Sequence, residues 1–198
     1  MLKKELRAEY RQKRAELSEN DVIDLSDRIT FMLCQLFSKI RFNHVNCFLT
    51  CEEKKEVQTQ GIINLLWSKG KEVSVPYCDY EEKKMQCAEL TSETLLENDE
   101  FNIPQPAQPF FAPPTQIDIV LVPLLSFDER GFRVGYGKGM YDRFLKTCSQ
   151  NLITIGLSFF EEGKKISDCN ENDVPMHYVV TPRHIYTYAG VSLEALNQ

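Results

Sequence analysis

The chain lacks what would mark an exported, membrane-bound or zinc-holding protein. No apolar run approaches the ~20 residues that cross a bilayer. The opening MLKKELRAEYRQKR has no apolar stretch of the kind that directs secretion. The seven cysteines include no Cys-x-x-Cys pair and the three histidines are scattered singly, so a zinc site is not expected. An odd set of unpaired thiols fits a reducing cytoplasm, each thiol serving as a small buried apolar group. A basic excess is missing too. The formal net charge of −6 argues against a nonspecific nucleic-acid binder. Repeats and low-complexity tracts are absent, as are the two familiar phosphate-loop spacings, G-x-x-x-x-G-K-[ST] and G-x-G-x-x-G.

What is there is 198 residues with 42% hydrophobic and 26% charged content, the profile of one globular domain spanning 1–198. Positive charge is concentrated in two places. Residues 1–14 hold six Lys/Arg against two Glu, and 127–146 hold five basic against three acidic residues. Such concentration in an acidic protein suits a small anion, although helix 1 alone could be a solvated basic face.

Leu2, Leu6 and Tyr10 recur every four residues and predict an amphipathic helix. Ser18 and Asp21 form a capping-box pattern that opens a second helix bearing Val22, Leu25, Ile29, Met32, Leu33 and Leu36. Strands are expected at 45–49, 72–77, 85–90, 117–125, 151–159 and 177–182, with helices at 59–70 and 139–150. Five prolines in 97–114 predict an extended connection without regular structure. Asp128 and Gly131 carry a type I turn signature. The alternation implies an α/β three-layer sandwich, a Rossmann-like, mainly parallel sheet with helices on both faces. Ligands then belong at the carboxyl ends of the strands.

The segment GFRVGYGKGMYDRFL (131–145) follows the most apolar strand. Gly135, Gly137 and Gly139 strip side chains from alternate positions, so backbone N–H groups can approach a ligand closely. A helix begins at once and adds unpaired donors. Lys138 supplies a mobile charge, Arg133 a two-pronged fork, and Asp142 a carboxylate suited to Mg²⁺. These are the parts of a phosphate cradle; a tight strand-to-helix turn is the alternative.

VPLLSFDERGFRVGYGKGMYDRFL resembles the signature segment of the 5-formyltetrahydrofolate cyclo-ligase (5,10-methenyltetrahydrofolate synthetase) family. KKELRAEYRQKRAELS resembles that family's N-terminal helix, FNIPQP its Ile-Pro-x-Pro segment, and CNENDVPMHYVVTP its closing Asp-bearing loop. The resemblance implies an ATP- and Mg²⁺-dependent cyclisation of 5-formyltetrahydrofolate by a monomer with no nucleic-acid or membrane partner. It implies that Lys3, Lys4, Glu5, Leu6 and Arg7 line the ATP site. Arg133, Val134, Gly135, Tyr136, Gly137, Lys138, Gly139, Met140 and Tyr141 would wrap the phosphates, with Arg133 and Lys138 as catalytic cations. Leu49 and Glu56 would meet the folate, sharing Tyr136 to Met140 with ATP, and Asp142 and Asp173 would carry the metal. Glu56 is preferred over Glu52 and Glu53 because Glu-Val-Gln-Thr best resembles the family's Glu-x-x-Thr. Met140 stands where many relatives have an aromatic ring. A folate- or nucleotide-binding protein of the same fold without catalysis is the second reading, and a sugar-phosphate isomerase or CoA-transferase-like enzyme the third.

Overall fold

The computed structural model describes residues 1–188; the last ten residues of the span expected to form a single domain lie outside the described residues. The chain opens with two helices, α1 (Lys3–Ala15) and α2 (Glu19–Phe37). The Glu5 carboxylate accepts from the Leu2 N–H at 2.9 Å and so closes the start of α1. The expected capping box opens α2. Ser18 Oγ accepts from the Asp21 N–H at 3.1 Å, and Asp21 accepts from the Ser18 N–H at 2.9 Å.

Strand β1 (His44–Asn46) leads through α3 (Gln60–Ser68) to β2 (Glu72–Asp79), which turns back as β3 (Lys84–Glu89). Three short strands follow, β4 (Leu96–Asn98), β5 (Pro104–Pro106) and β6 (Phe111–Ala112), before the buried β7 (Ile119–Pro123). A small ribbon, β8 (Ser126–Phe127) with β9 (Arg133–Val134), carries the chain into the glycine segment and α4 (Met140–Leu145). Strands β10 (Ile153–Leu157), β11 (Tyr178–Val180) and β12 (Ile185–Thr187) complete the described chain.

Eight strands form one sheet in the order β12-β11-β10-β7-β1-β2-β3-β6. The five central strands, β11 to β2, run parallel, and antiparallel strands close both edges. The alternation of β7 sorts the two faces. Ile119 and Leu121 join the core under α2 and α3, whereas Val120 and Val122 join Phe144 and Leu145 of α4 on the other side. Helix α1 packs elsewhere: Leu6 and Tyr10 bury against Leu125 and Val134 beside the β8–β9 ribbon, beyond the carboxyl end of β7. Among the described residues no helix is long and apolar enough to cross a membrane.

Two expectations needed correction. The proline-rich stretch does pair, β4 with β5 and β6 with β3. The reason is local. Asp99 Oδ1 accepts from the Phe101 and Ile103 N–H groups at 2.8 and 2.9 Å, making an Asx turn that a two-stranded ribbon can follow. Prolines are tolerated because such a ribbon leaves N–H positions unpaired in any case. Helix α4 is also shorter than the expected 139–150. Thr147 N–H bonds Phe144 C=O at 2.8 Å while its hydroxyl donates to the same carbonyl at 2.7 Å, so the α pattern tightens and stops.

Candidate active site

The chain goes from β1 to β2 on one side and later returns to β7 on the other side of β1. This reversal opens a crevice at the carboxyl ends of β1 and β7, where α/β sheets bind ligands. A cleft of about 520 Å³ lies there, a size suited to small-molecule substrates. Its walls hold six Lys/Arg side chains against three carboxylates, in a protein whose net charge is −6. The cleft is therefore a local cationic region on an acidic molecule.

Helix α1 supplies one wall. Lys3, Arg7 and Arg11 line the cleft at four-residue intervals, as neighbours on one helix face must. Arg7 Nε donates to the Gly135 carbonyl at 2.8 Å. The same guanidinium explains the bare backbone opposite it. A Cβ on Gly137 would come within 3.1 Å of Arg7, and Gly137 has φ +92°, a conformation L side chains rarely adopt. Gly135 is different: a Cβ there would meet nothing within 4 Å and would simply project into free space. The alternating glycines thus admit a cation from α1 at one position and keep the cleft open at another.

The carboxylates are held by cations. Lys3 Nζ donates to both Asp173 oxygens at 2.5 Å. Burial pushes the Asp173 carboxyl up, but the hydrogen bond from Lys3, joined by the Asn170 N–H, outweighs it and holds the group below the usual aspartate range. Arg133 is clamped between the Asp142 carboxylate at 2.7 Å and the Val174 carbonyl at 2.5 Å, and Asp142 also accepts from the Val174 N–H at 3.1 Å. The closing loop around Val174 is thereby tied to the first turn of α4. Lys138 differs again. Its ammonium lies over the rings of Phe101 and Tyr80, 3.7 and 4.5 Å from their centroids, with no salt bridge among the described residues.

The opposite end is built from buried polar groups. Glu56 is 6% exposed, whereas Glu52 and Glu53 of the same loop are exposed. The left-handed Lys55 (φ +45°) turns the chain inward after the short helical turn Glu52–Lys54, and its Nζ is anchored on the carbonyls of Ala15 and Leu17. Tyr136 donates a short hydrogen bond to Glu56 Oε1, and the Cys51 N–H donates to Oε2 at 3.1 Å. Leu49 lies in the cleft wall just beyond β1, with Phe48 and Pro123 beside it.

Of the residues expected from the sequence, Lys3, Arg7, Leu49, Glu56, Arg133, Gly135 to Asp142 and Asp173 all line this one cleft. Lys4 and Glu5 are exposed outside it. Leu6 and Val134 are fully buried core residues that seat α1 and β9. Met140 lines the cleft and its sulfur accepts from Arg143 at 3.2 Å. Sequence reasoning missed Arg11, Lys54, Tyr80 and Phe101 as lining residues, and Arg14 behind them. The arginines had a signal, since Lys3, Arg7, Arg11 and Arg14 follow the helical period. Tyr80 and Phe101 had none, because a tertiary bond, Tyr80 Oη to Asp99 Oδ2 at 2.8 Å, brings their hairpins together.

The model of the 5-formyltetrahydrofolate cyclo-ligase family matches residues 1–182. The chain belongs to that family. Among curated cyclo-ligases, the chain is 29% identical over 189 residues to the 5-formyltetrahydrofolate cyclo-ligase of Mus musculus, covering 90% of this chain and 92% of that one. The solved 5,10-methenyltetrahydrofolate synthetase of Aquifex aeolicus superposes with a TM-score of 0.73 at 27% identity, covering 97% of this chain and 95% of that one. A 5,10-methenyltetrahydrofolate synthetase from Mycoplasma pneumoniae shares the fold, with a TM-score of 0.75 at 22% identity over 92% of this chain and 100% of that one. The fold described above is thus shared with solved 5,10-methenyltetrahydrofolate synthetases.

Proposed function

We propose that the chain is a 5-formyltetrahydrofolate cyclo-ligase that closes 5-formyltetrahydrofolate to 5,10-methenyltetrahydrofolate, splitting ATP to ADP and phosphate with the help of Mg²⁺. The observation that carries this reading is the division of a single cleft. Lys3, Arg7 and Arg133 with the bare glycine backbone form one group, suited to a polyphosphate, and the buried acceptor Glu56 with Phe48, Leu49 and Tyr136 forms the other, suited to a reduced pterin, with Arg11 and Lys54 lying over the Tyr136 ring.

The chemistry needs both ends. A formamide oxygen is a poor leaving group, so the formyl oxygen first attacks the γ-phosphorus and ADP departs. N10 then attacks the activated carbon, the C–O bond breaks, phosphate leaves with the electron pair, and N10 gives up its proton to water. Phosphoryl transfer of this kind depends on positioning and on neutralising spreading negative charge. Lys3, Arg7 and Arg133 hold the phosphate chain in this reading, and Lys138 leaves its aromatic seat for the transferring group. Glu56 accepts hydrogen bonds from pterin N–H groups, for which a carboxylate offers acceptor oxygens.

No group of three or more acidic, histidine or cysteine side chains fit to hold a metal occurs among the described residues. Mg²⁺ does not need one, because it takes one or two carboxylates and completes its shell with phosphate oxygens and water. Asp142 and Asp173 suit that role: both line the cleft, and Asp142 keeps one oxygen without a protein hydrogen bond among the described residues. The ion would supply charge neutralisation on the phosphates. A monomer in a reducing cytoplasm completes the reading; the seven unpaired cysteines support the reducing compartment.

The test is to mix the protein with 5-formyltetrahydrofolate, Mg²⁺ and ATP and follow the absorbance of the methenyl product. ATP-dependent product formation is expected. Binding of both compounds without product would overturn the enzymatic reading in favour of a binding protein.

A further inference from the structure

Behind Glu56 lies a cation that the reaction scheme does not use. Arg14, in the last turn of α1, is only 6% exposed. A guanidinium out of water is strongly unfavourable unless its donors are satisfied. Arg14 makes no salt bridge among the described residues. Instead Nη1 donates to the Tyr136 hydroxyl at 2.8 Å and Nη2 to the Leu124 carbonyl at 3.0 Å. The Tyr136 hydroxyl in turn donates to Glu56.

We propose that Arg14 is a positioning residue for the folate end of the site, acting through Tyr136 to set the orientation in which Glu56 meets the substrate. A phenol can donate or accept, and its rotor is free unless neighbours decide. Arg14 has only donors, so it occupies the acceptor side of the Tyr136 oxygen and leaves the O–H one direction, toward Glu56. Burial and the Glu56 carboxylate push the Tyr136 phenol far above its usual range, so it stays a protonated donor at every working pH. One oxygen of Glu56 is then fixed by Tyr136 and the other by the Cys51 N–H, and the remaining lone pairs have a set direction. The bond to Leu124, just past β7, holds Arg14 itself to the sheet. Tyr136 stands between Gly135 and Gly137, which face Arg7, so the relay borders the phosphate end; Arg14 itself makes no bond there, and Lys3, Arg7 and Arg133 have other partners.

This inference rests on the reading that Glu56 meets the folate, so the experiment separates the two. Steady-state formation of the methenyl product is measured with folate and ATP titrated separately for the unaltered protein, Glu56→Gln, Arg14→Met, Arg14→Lys, Tyr136→Phe and the double variant Arg14→Met/Tyr136→Phe. Loss of one oriented hydrogen bond predicts about a tenfold rise in folate KM for Arg14→Met, with ATP KM unchanged. Arg14→Lys, which can still donate to the phenol, gives a smaller rise. The double variant is no worse than Tyr136→Phe alone, because Arg14 then has no hydroxyl to act through. If Arg14→Met does not fold, the same contrast is read from Arg14→Lys with and without Tyr136→Phe. Equal rises in both KM values, or multiplicative effects in the double variant, would make Arg14 a scaffold residue and overturn the proposal. An effect of Glu56→Gln on folate with none from the Arg14 variants sinks the relay alone. No effect of Glu56→Gln on folate sinks the folate-site reading beneath it.

Discussion

The two ends of the cleft solve opposite problems with the same residue types. At the proposed phosphate end, charged groups have partners that a ligand can replace: Lys3 on Asp173, Arg133 on Asp142 and Val174, Lys138 on two rings. At the proposed folate end, the buried Arg14 and Glu56 are linked in a fixed order through the half-buried Tyr136. The first is a set of cations waiting for an anion to displace their partners. The second is a pre-oriented acceptor, which loses little when a neutral ring system docks. A polyphosphate arrives with charge enough to reorganise side chains, whereas a pterin must be recognised by direction.

This contrast can be broken or sharpened by substitution. The largest effect is expected from Lys138→Ala, which removes a full charge from the transferring group. It should lower the rate of methenyl formation by about 10²–10³ while leaving folate KM nearly unchanged, measured under saturating ATP. Glu56→Gln keeps shape but loses acceptor capacity; folate KM should rise about 10- to 30-fold, read from product absorbance. Gly137→Ala puts a methyl 3.1 Å from Arg7 at φ +92°, so ATP KM should rise several-fold and thermal stability should fall by about 1–2 kcal/mol.

The smallest effect tests the Lys3–Asp173 pair by pH. The folded Asp173 pKa lies below the ordinary value of 3.8, so its contribution to stability is full above that value and is lost as pH falls through the depressed folded value. Asp173→Asn should therefore be about 1 kcal/mol less stable than the unaltered protein at pH 7 in urea unfolding. That gap should shrink only on acidification below about pH 4. A gap independent of pH would mean the pair adds nothing through its charge.

Much of this architecture was legible in the residues. Helix α2 announced itself by Ser18, Asp21 and its apolar face, and β7 by an apolar run that burial on both faces demands. The glycine segment could be read as an anion cradle from backbone chemistry alone. It could not be read that Gly137 is bare because Arg7 needs the space, since that contact joins residues 130 positions apart. Glu56 was singled out by resemblance alone; its burial depends on the left turn at Lys55 and on a tyrosine 80 positions later. The overlong forecast for α4 failed for a local reason, a threonine hydroxyl that competes for a helical carbonyl. Pattern thus carried the elements, and long-range partners carried the site.

The claim that most needs testing is that the two ends act separately within one cleft. The direct measurement is methenyl formation by the unaltered protein and by Glu56→Gln, with each substrate titrated against a saturating level of the other. The prediction is an ATP-dependent product from the unaltered protein, and in the variant a raised folate KM with an ATP KM unchanged within about twofold. Equal movement of both constants, or no ATP-dependent product from the unaltered protein, would contradict it.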